Sequence, residues 1–501
     1  MNFPVLLDPQ GPGTLQHQLC EALRKAILGG RLARGQRMPS SRTLAQALAI
    51  SRTTVVLCYD QLVSEGYLES HRGSGTFVCG QLPEEFLAQG GGPGAAEPRQ
   101  QVPVPWSEFG ERLLAMDFPA AAPVPEAPFR FTQTHPPMDA FPVEVWKRLL
   151  ARHCRNRGPA LTDFRPESTG CESLRRAIAG YLQQSRAVRC TPDQVLVLGS
   201  SLQGVGLAAR ILVDPGDTVA MEDPAYLGAR RTFLAQGARI LALPAGPDGV
   251  SLLPLAGARN CKLVYVTPSH QFPTGTTMGL AQRLELLAWC RQNGAMLLED
   301  DYDSEFRYVG RPLPATQGLD DQGTVLYVGT FSKALFPALR LGYLVAPPGQ
   351  LQVLARAHQL GNGQPPLLEQ YALADFILEG HLERHVRRMR TTYGRRREAL
   401  LAALDLELGD RVAVLGEPAG MHLMVRFKTD LDDETVARRA AAQGVSLAPA
   451  GRCFMNPGPQ AGFILSFVGI DEDRIRQGVR RLAQVLGASG PGDDGPSGSI
   501  L

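Results

Sequence analysis

Lys333 follows a small polar turn, Thr330-Phe331-Ser332, and precedes Arg340 within the apolar stretch GTFSKALFPALRLGYLV, Gly329 to Val345. A lysine between two elements is ordinarily a solvated surface group. Held in a dry pocket, the same amine can lose its proton and bond an aldehyde. Flanking hydroxyls and an arginine are the donors a phosphate tail needs. Upstream, LLEDDYDSEF (Leu297 to Phe306) ends a strand-like run in Glu299, Asp300, Asp301 and Tyr302. An acid that pairs with a pyridinium nitrogen and a Schiff-base lysine are the two protein groups that pyridoxal phosphate requires.

These groups need a scaffold, and the chain from Phe141 onward alternates helical and strand-like segments. That pattern predicts an α/β architecture with a mostly parallel sheet. Val195-Leu196-Val197-Leu198 reads as a buried strand that runs into Gly199-Ser200-Ser201 and then a helix from about Gln203 to Leu212. A strand, a turn of small residues and a helix N-terminus can bind an anion through free N–H groups and the helix dipole. From about Gln370 to Leu486 a smaller C-terminal part is expected. It contains GHLERHVRRMRTTYGRRREALLAAL, whose charge run reads as a solvated helix face, with a second contact to bent DNA as the alternative.

The N-terminal 80 residues have a different grammar. Apolar residues recur at helical spacing over Leu15 to Leu28, and Gly29-Gly30 stops the pattern. A short helix through Leu48 with Ser41 as its N-cap, a turn at Ile50-Ser51 and a helix from Arg52 to Glu65 follow. Helix, tight turn, helix places the last of these in a DNA major groove. Its first turn carries Ser51, Arg52, Thr53 and Thr54, short hydroxyls and one long fork suited to phosphates and base edges. Gly66 to Glu69 and Gly75 to Val78 read as two short strands around His71-Arg72-Gly73-Ser74, a wing with Arg72 aimed at a backbone. Eight Lys/Arg against five Asp/Glu in these residues is a mild basic bias, compatible with DNA.

The motifs PSSRTLA, SRTTV, EGYLE and GSGTFV resemble a GntR-type winged helix, and about Phe129 to Leu486 is similar to a fold-type I aminotransferase domain. That pairing resembles the MocR/GabR subfamily of bacterial transcription regulators. The resemblance implies a winged helix-turn-helix over 11–79 and a linker over 80–127. It implies an aminotransferase-like effector domain over 128–487, with a large mostly parallel α/β part and a small α+β part, and leaves a disordered tail over 488–501. It implies DNA contacts from Arg42, Arg52, Thr54 and Arg72. Pyridoxal 5′-phosphate is the implied cofactor, with Lys333 as its catalytic attachment point. Around it the resemblance sets Ser200, Ser201, Thr330 and Arg340 at the phosphate, Tyr226 stacked on the ring and Tyr302 on the ring oxygen. By sequence Glu299 and Asp301 rival Asp300; the family motif, aspartate then tyrosine two residues on, selects Asp300 for the pyridinium nitrogen.

Two departures shape the expected function. Many aminotransferases have an asparagine before Pro-Thr-Gly; here, in SHQFPTG, that position is Phe272. Amino-acid aminotransferases also place an arginine just before the last strand, and Gly462-Phe463-Ile464-Leu465 has none. Arg452 is the nearest substitute in sequence. The first departure favours a regulator over an efficient enzyme, and the second argues against an ordinary α-amino-acid substrate. The expected function is a regulator that binds promoter DNA and senses pyridoxal phosphate, or an amine or amino-acid effector, as an aldimine. The alternative is a working aminotransferase with an appended DNA-binding domain. A homodimer is implied by resemblance.

Composition bounds these readings. The chain has 501 residues, 44% of them hydrophobic, and a net charge of +2, enough for about three domains. Nine cysteines lack zinc-like spacing, which points to reduced thiols in a cytoplasm and to no metal. No apolar run reaches the ~20 residues of a membrane span.

Overall fold

The computed structural model describes residues 7–8, 13–71, 73–83, 105–118, 127–132, 136–161, 169–247, 249–310, 313–361, 363, 365–455 and 462–487. Contacts divide the chain into two units, 1–104 and 105–501.

In the first unit, helices Leu15–Leu28, Ser41–Leu48 and Arg52–Ser64 are followed by strands Leu68–His71 and Gly75–Val78, which pair antiparallel. Leu19, Leu23, Leu44, Val55, Leu62 and Val78 are fully buried and form its core. The expected N-cap moves by one residue: Ser40 rather than Ser41 caps the second helix, its side chain accepting from Thr43 N–H. Ala49 closes that helix in the left-handed region at φ 55°, which makes the turn before Ser51 tight. Arg72 lies outside the described residues.

The second unit is built on an eight-stranded sheet. Its order is Val195–Leu198, Gly342–Val345, Val325–Thr330, Met296–Asp301, Cys261–Val266, Thr218–Asp223, Arg239–Gly246 and Gly249–Val250. Gly342–Val345 runs antiparallel to both neighbours and Gly249–Val250 is an antiparallel edge; the remaining pairings are parallel. Successive side chains leave opposite faces of a strand. Leu196, Leu198, Leu326, Val328 and Leu344 therefore pack on one side, against helices Ser201–Leu212 and Pro348–Gly361. Val195, Val197, Tyr327, Tyr343 and Val345 pack on the other, with helices Glu172–Arg186 and Leu367–Leu378. Burial on both faces explains why these strands read as unbroken apolar runs. A four-stranded antiparallel sheet, Val412–Leu415, His422–Phe427, Gly462–Ser466 and Ala448–Pro449, carries the smaller C-terminal part.

Two expectations change. Within the stretch expected as linker, Glu108–Ala115 is a helix capped by Ser107, and it belongs to the second unit. Phe109 and Leu113 fall one turn apart and line an ~800 Å³ cleft with Leu202 and Leu207, while Arg112 Nε donates to Ala235 O at 2.8 Å. Residues 84–104, 119–126 and 488–501 lie outside the described residues. The basic helix, His381–Leu408, is not simply a solvated face. Arg390 donates to Glu305 O, Arg396 to Val468 O and Arg388 to Ala140 O, while Arg387 pairs with Glu383. Several of its guanidinium groups are tied to the protein, while the exposed Arg387–Glu383 pair stays on the solvated face.

No helix among the described residues is long and apolar enough to cross a membrane.

Candidate functional site

Parallel strands release their loops at one edge, and there the candidate residues converge. Thr330 is in register with Gly342, Gly342 with Leu198, and Asp300 with Val328. The turn after Leu198, the end of Val325–Thr330 and the approach to Gly342 thus meet at one place. Ser200 caps helix Ser201–Leu212 by accepting from Gln203 N–H at 3.1 Å, and Gly199 N–H donates to the Gln203 side chain at 2.7 Å. Gly342 is needed for the close approach. A Cβ there would stand 2.9 Å from Gly329 O, 3.0 Å from Ser200 C and 3.1 Å from Ser201 N, all backbone atoms. Gly342→Ala is expected to cost about 1–3 kcal/mol and to push the Ser200–Ser201 turn aside, weakening phosphate and cofactor binding; urea unfolding and a cofactor titration check it. Arg340, exposed and at φ 50°, directly precedes this strand.

Ser201, Tyr226, Asp300, Tyr302, Thr330 and Lys333 line one cavity of about 280 Å³, together with Tyr265, Thr267, Phe272, Asp303, Met421 and His422. The larger cleft beside helix Glu108–Ala115 contains none of these groups. Ser200 and Arg340 lie next to the cavity in the chain but do not line it.

The three consecutive acids have different partners. Glu299 accepts from Thr316 and Gln317 N–H at 2.8 and 2.9 Å. Asp301 is paired with Arg186 at 2.8 Å and accepts from Tyr327 OH at 2.6 Å; against the cost of burial, the guanidinium holds its carboxyl low. Only Asp300 of the three faces the cavity. Its Oδ2 accepts from Tyr265 OH at 2.8 Å, while Oδ1 is buried with no hydrogen-bond partner. Burial pushes Asp300 up to about 7 against the pull of Tyr265, with Asp301 and Asp303 adding to the rise. Burial likewise pushes Lys333 down from the usual lysine value, with Asp303 pulling the other way. A lone buried carboxyl oxygen and a buried amine facing one cavity are the demands of a pyridine ring nitrogen and an aldehyde. The residues therefore fit pyridoxal phosphate.

The remaining wall is aromatic. Tyr226, 38% exposed, meets Phe272 edge-on at 5.8 Å, and Phe272 meets Tyr302 at 6.1 Å and His422 at 5.4 Å. Arg452 does not join it: its guanidinium pairs with Glu434 at 2.9 Å, so the neighbour in sequence is not a carboxylate clamp on this cavity. His270, Asp303 and His422 are buried together here, their ligand-type atoms within 4.8 Å of one another. His270 Nδ1 and Asp303 Oδ2 already bond each other at 3.1 Å, which makes this a hydrogen-bonded group. None of the three was singled out by sequence.

In the first unit Arg42, Ser51, Arg52 and Thr53 are exposed and Thr54 is half-buried. Ser51 Oγ caps the third helix by accepting from Thr54 N–H at 3.3 Å, so its side chain serves the helix start. Arg52 Nε rests on Ser41 Oγ at 3.3 Å, which fixes the fork beside that turn.

A fold-type I aminotransferase-like domain for pyridoxal phosphate, on a chain that begins with a winged helix-turn-helix, defines the class. Residues 137–482 match the family Aminotransferase class I and II, and residues 15–78 match Bacterial regulatory proteins, gntR family. The chain is 40% identical to the probable rhizopine catabolism regulatory protein MocR of Rhizobium meliloti, over 95% of both chains. It is 32% identical to the pyridoxine biosynthesis transcriptional regulator PdxR of Corynebacterium glutamicum, over 95% of this chain and 96% of that one. The structure of the α-aminoadipate aminotransferase LysN of Thermus thermophilus, complexed with N-(5′-phosphopyridoxyl)-L-leucine, matches with a TM-score of 0.67 and 31% identity, over 72% of this chain and 92% of that chain. The chain belongs to the MocR/GabR subfamily of GntR-type transcription regulators, and it is a DNA-binding protein with pyridoxal phosphate as its cofactor.

Proposed function

We propose that the protein is a cytoplasmic, homodimeric regulator whose promoter affinity is set by pyridoxal phosphate, alone or together with a small amine, in the Lys333 cavity. The observation that carries this is the pairing of Lys333 with the half-satisfied Asp300 in one cavity, on a chain that also holds a winged helix-turn-helix. When bound, the cofactor supplies an aldehyde for the amine and an electron-withdrawing ring. Lys333 would present the half-buried amine, Asp300 would hold the ring nitrogen's proton, and Tyr226 would cover the ring. Ser201 and Thr330, which line the cavity, would take the phosphate at the helix start, with Ser200 and Arg340 beside them in the chain. Coupling requires that a ligand bind one arrangement of the protein better than another.

Regulation is tested by titrating promoter DNA against cofactor-free and cofactor-loaded protein. Unequal affinities are expected, and equal ones would remove the sensing role. For the DNA module, Arg52→Ala is expected to weaken binding and to lower the slope of log affinity against log salt by about one. An unchanged slope in a salt series would place Arg52 off the phosphates.

The likeness to an aminotransferase favours a second reading, slow transamination by the same site. Enzyme-like conversion of an amino acid by protein that ignores its promoter would establish it.

A further inference from the structure

Tyr302 and Asp303 both reach one nitrogen. His270 Nδ1 lies 2.9 Å from Tyr302 OH and 3.1 Å from Asp303 Oδ2. Asp303 Oδ2 also accepts from Met421 N–H at 3.2 Å, and the residue is 1% exposed. The ring of His270 is 3% exposed and clamped between glycines. A Cβ on Gly420 would stand 2.0 Å from its Cε1, and one on Gly275 3.1 Å from its Nε2. The imidazole is thus locked in place, and Phe272, two residues on, offers no hydrogen-bond donor.

With Asp303 taken as a carboxylate, the inventory of donors gives these bonds a direction. A carboxylate oxygen only accepts, so a bond from Asp303 to Nδ1 requires that Nδ1 carry the proton. Tyr302 O, at 2.9 Å from that same N–H, then receives from it. The tyrosine's own proton cannot lie on the His270 side. It is turned into the cavity that Tyr302 shares with Lys333. We propose that Asp303 and His270 form a positioning relay that fixes the hydroxyl of Tyr302 as a donor to the cofactor's phenolic oxygen, in place of the amide donor that Phe272 cannot be. Without the Asp303 carboxylate, as in Asp303→Asn, nothing would hold the proton on Nδ1, and Tyr302 would turn its own proton back onto a bare Nδ1.

This inference rests on the reading that the cavity holds pyridoxal phosphate. Other groups face the same space. Lys333, Asp300 and Tyr265 line it, His422 lies 5.1 Å ring to ring from His270, and Glu222 bonds Thr267 on the opposite wall. Burial pushes His422 down to about 3, with His270 adding to it, so His422 is neutral across the working range. None of these is altered by the variants below.

The test is a pH titration of the bound cofactor's visible absorbance, on the full chain loaded with pyridoxal phosphate. A donor to the phenolic oxygen stabilises its charged form and disfavours protonation of its neighbour. Tyr302→Phe should therefore move the midpoint to higher pH by about one unit or more. Asp303→Asn and His270→Phe should move it the same way, and Asp303→Glu should restore most of the wild-type midpoint. If Asp303→Asn and His270→Phe keep the wild-type midpoint while Tyr302→Phe shifts it, the relay is wrong. A loss of thermal stability with an unmoved midpoint likewise reduces the pair to a structural role. If wild-type protein shows no cofactor band, the cofactor reading itself has failed, a result distinct from both.

Discussion

Lys333→Ala is expected to give a protein that shows no aldimine band with pyridoxal phosphate and carries no cofactor after borohydride reduction. Among the described residues Lys333 is the one amine lining the cavity, and burial has already shifted it towards the neutral form that attacks an aldehyde. Removing it leaves only noncovalent contacts. Retention should fall on the order of 100-fold or more, which is about 2.7 kcal/mol. The promoter should then respond to cofactor only at correspondingly higher concentration. The change is large-to-small at a partly exposed position, so circular dichroism and the melting temperature should stay close to wild type. A variant that still traps cofactor covalently would place the attachment at another lysine and remove the centre of the proposed site.

The second large effect is expected from Asp300→Asn, and it has opposite signs with and without cofactor. Asp300 is buried, held by Tyr265 through one oxygen and by nothing through the other. Its carboxyl is pushed up to about 7. Between its unfolded value near 4 and about 7, the folded protein keeps a proton that the unfolded chain releases. Stability therefore falls as pH rises across that window, and the full penalty is present above about pH 7. The shift amounts to about 4 kcal/mol. An asparagine avoids this but leaves one amide N–H facing the cavity unbonded, at a cost of about 1–3 kcal/mol. The net gain for cofactor-free protein at pH 8 is about 2 kcal/mol, and below pH 4, where the carboxylate penalty is gone, it becomes a loss of about 1–3 kcal/mol. Glu222, also pushed up to about 7 chiefly by burial, is raised further by the Asp300 charge, so Asp300→Asn moves it down and adds in the same direction to the variant's gain at high pH. With cofactor present the order reverses, because a carboxylate stabilises a protonated ring nitrogen and an amide does not. Melting curves at several pH values, with and without pyridoxal phosphate, test both signs. A variant less stable than wild type at pH 8 without cofactor would mean that Asp300 is satisfied by something else.

The charged helix His381–Leu408 shows why composition alone misleads. A run of arginines suggested solvent or DNA, but several of the guanidinium groups bond carbonyl oxygens of residues far away in the chain, Ala140, Glu305 and Val468. Glu108–Ala115 shows the converse. Its composition sits among Pro- and Gly-rich neighbours, while the spacing of Phe109 and Leu113 is enough for a helix once Leu227–Gln236 offers a surface.

Local signals determined much of this protein. Periodicity and caps located the first helix from Leu15 to Leu28 and the third from Arg52. Alternating apolar runs and small-residue turns gave a mostly parallel α/β domain, and the order of short motifs gave the family. Lys333, Asp300 and Tyr302 could be picked out because each belongs to a contiguous pattern. Tertiary structure supplied the physical reason that Asp300, and neither adjacent acid, faces the cavity: strand pleat and distant partners, Thr316 for Glu299 and Arg186 for Asp301, divide their environments. It also brought His422 from the C-terminal sheet against His270 and Phe272. No pattern along the chain links residues about 150 positions apart; only the packing of two sheets puts them on one wall.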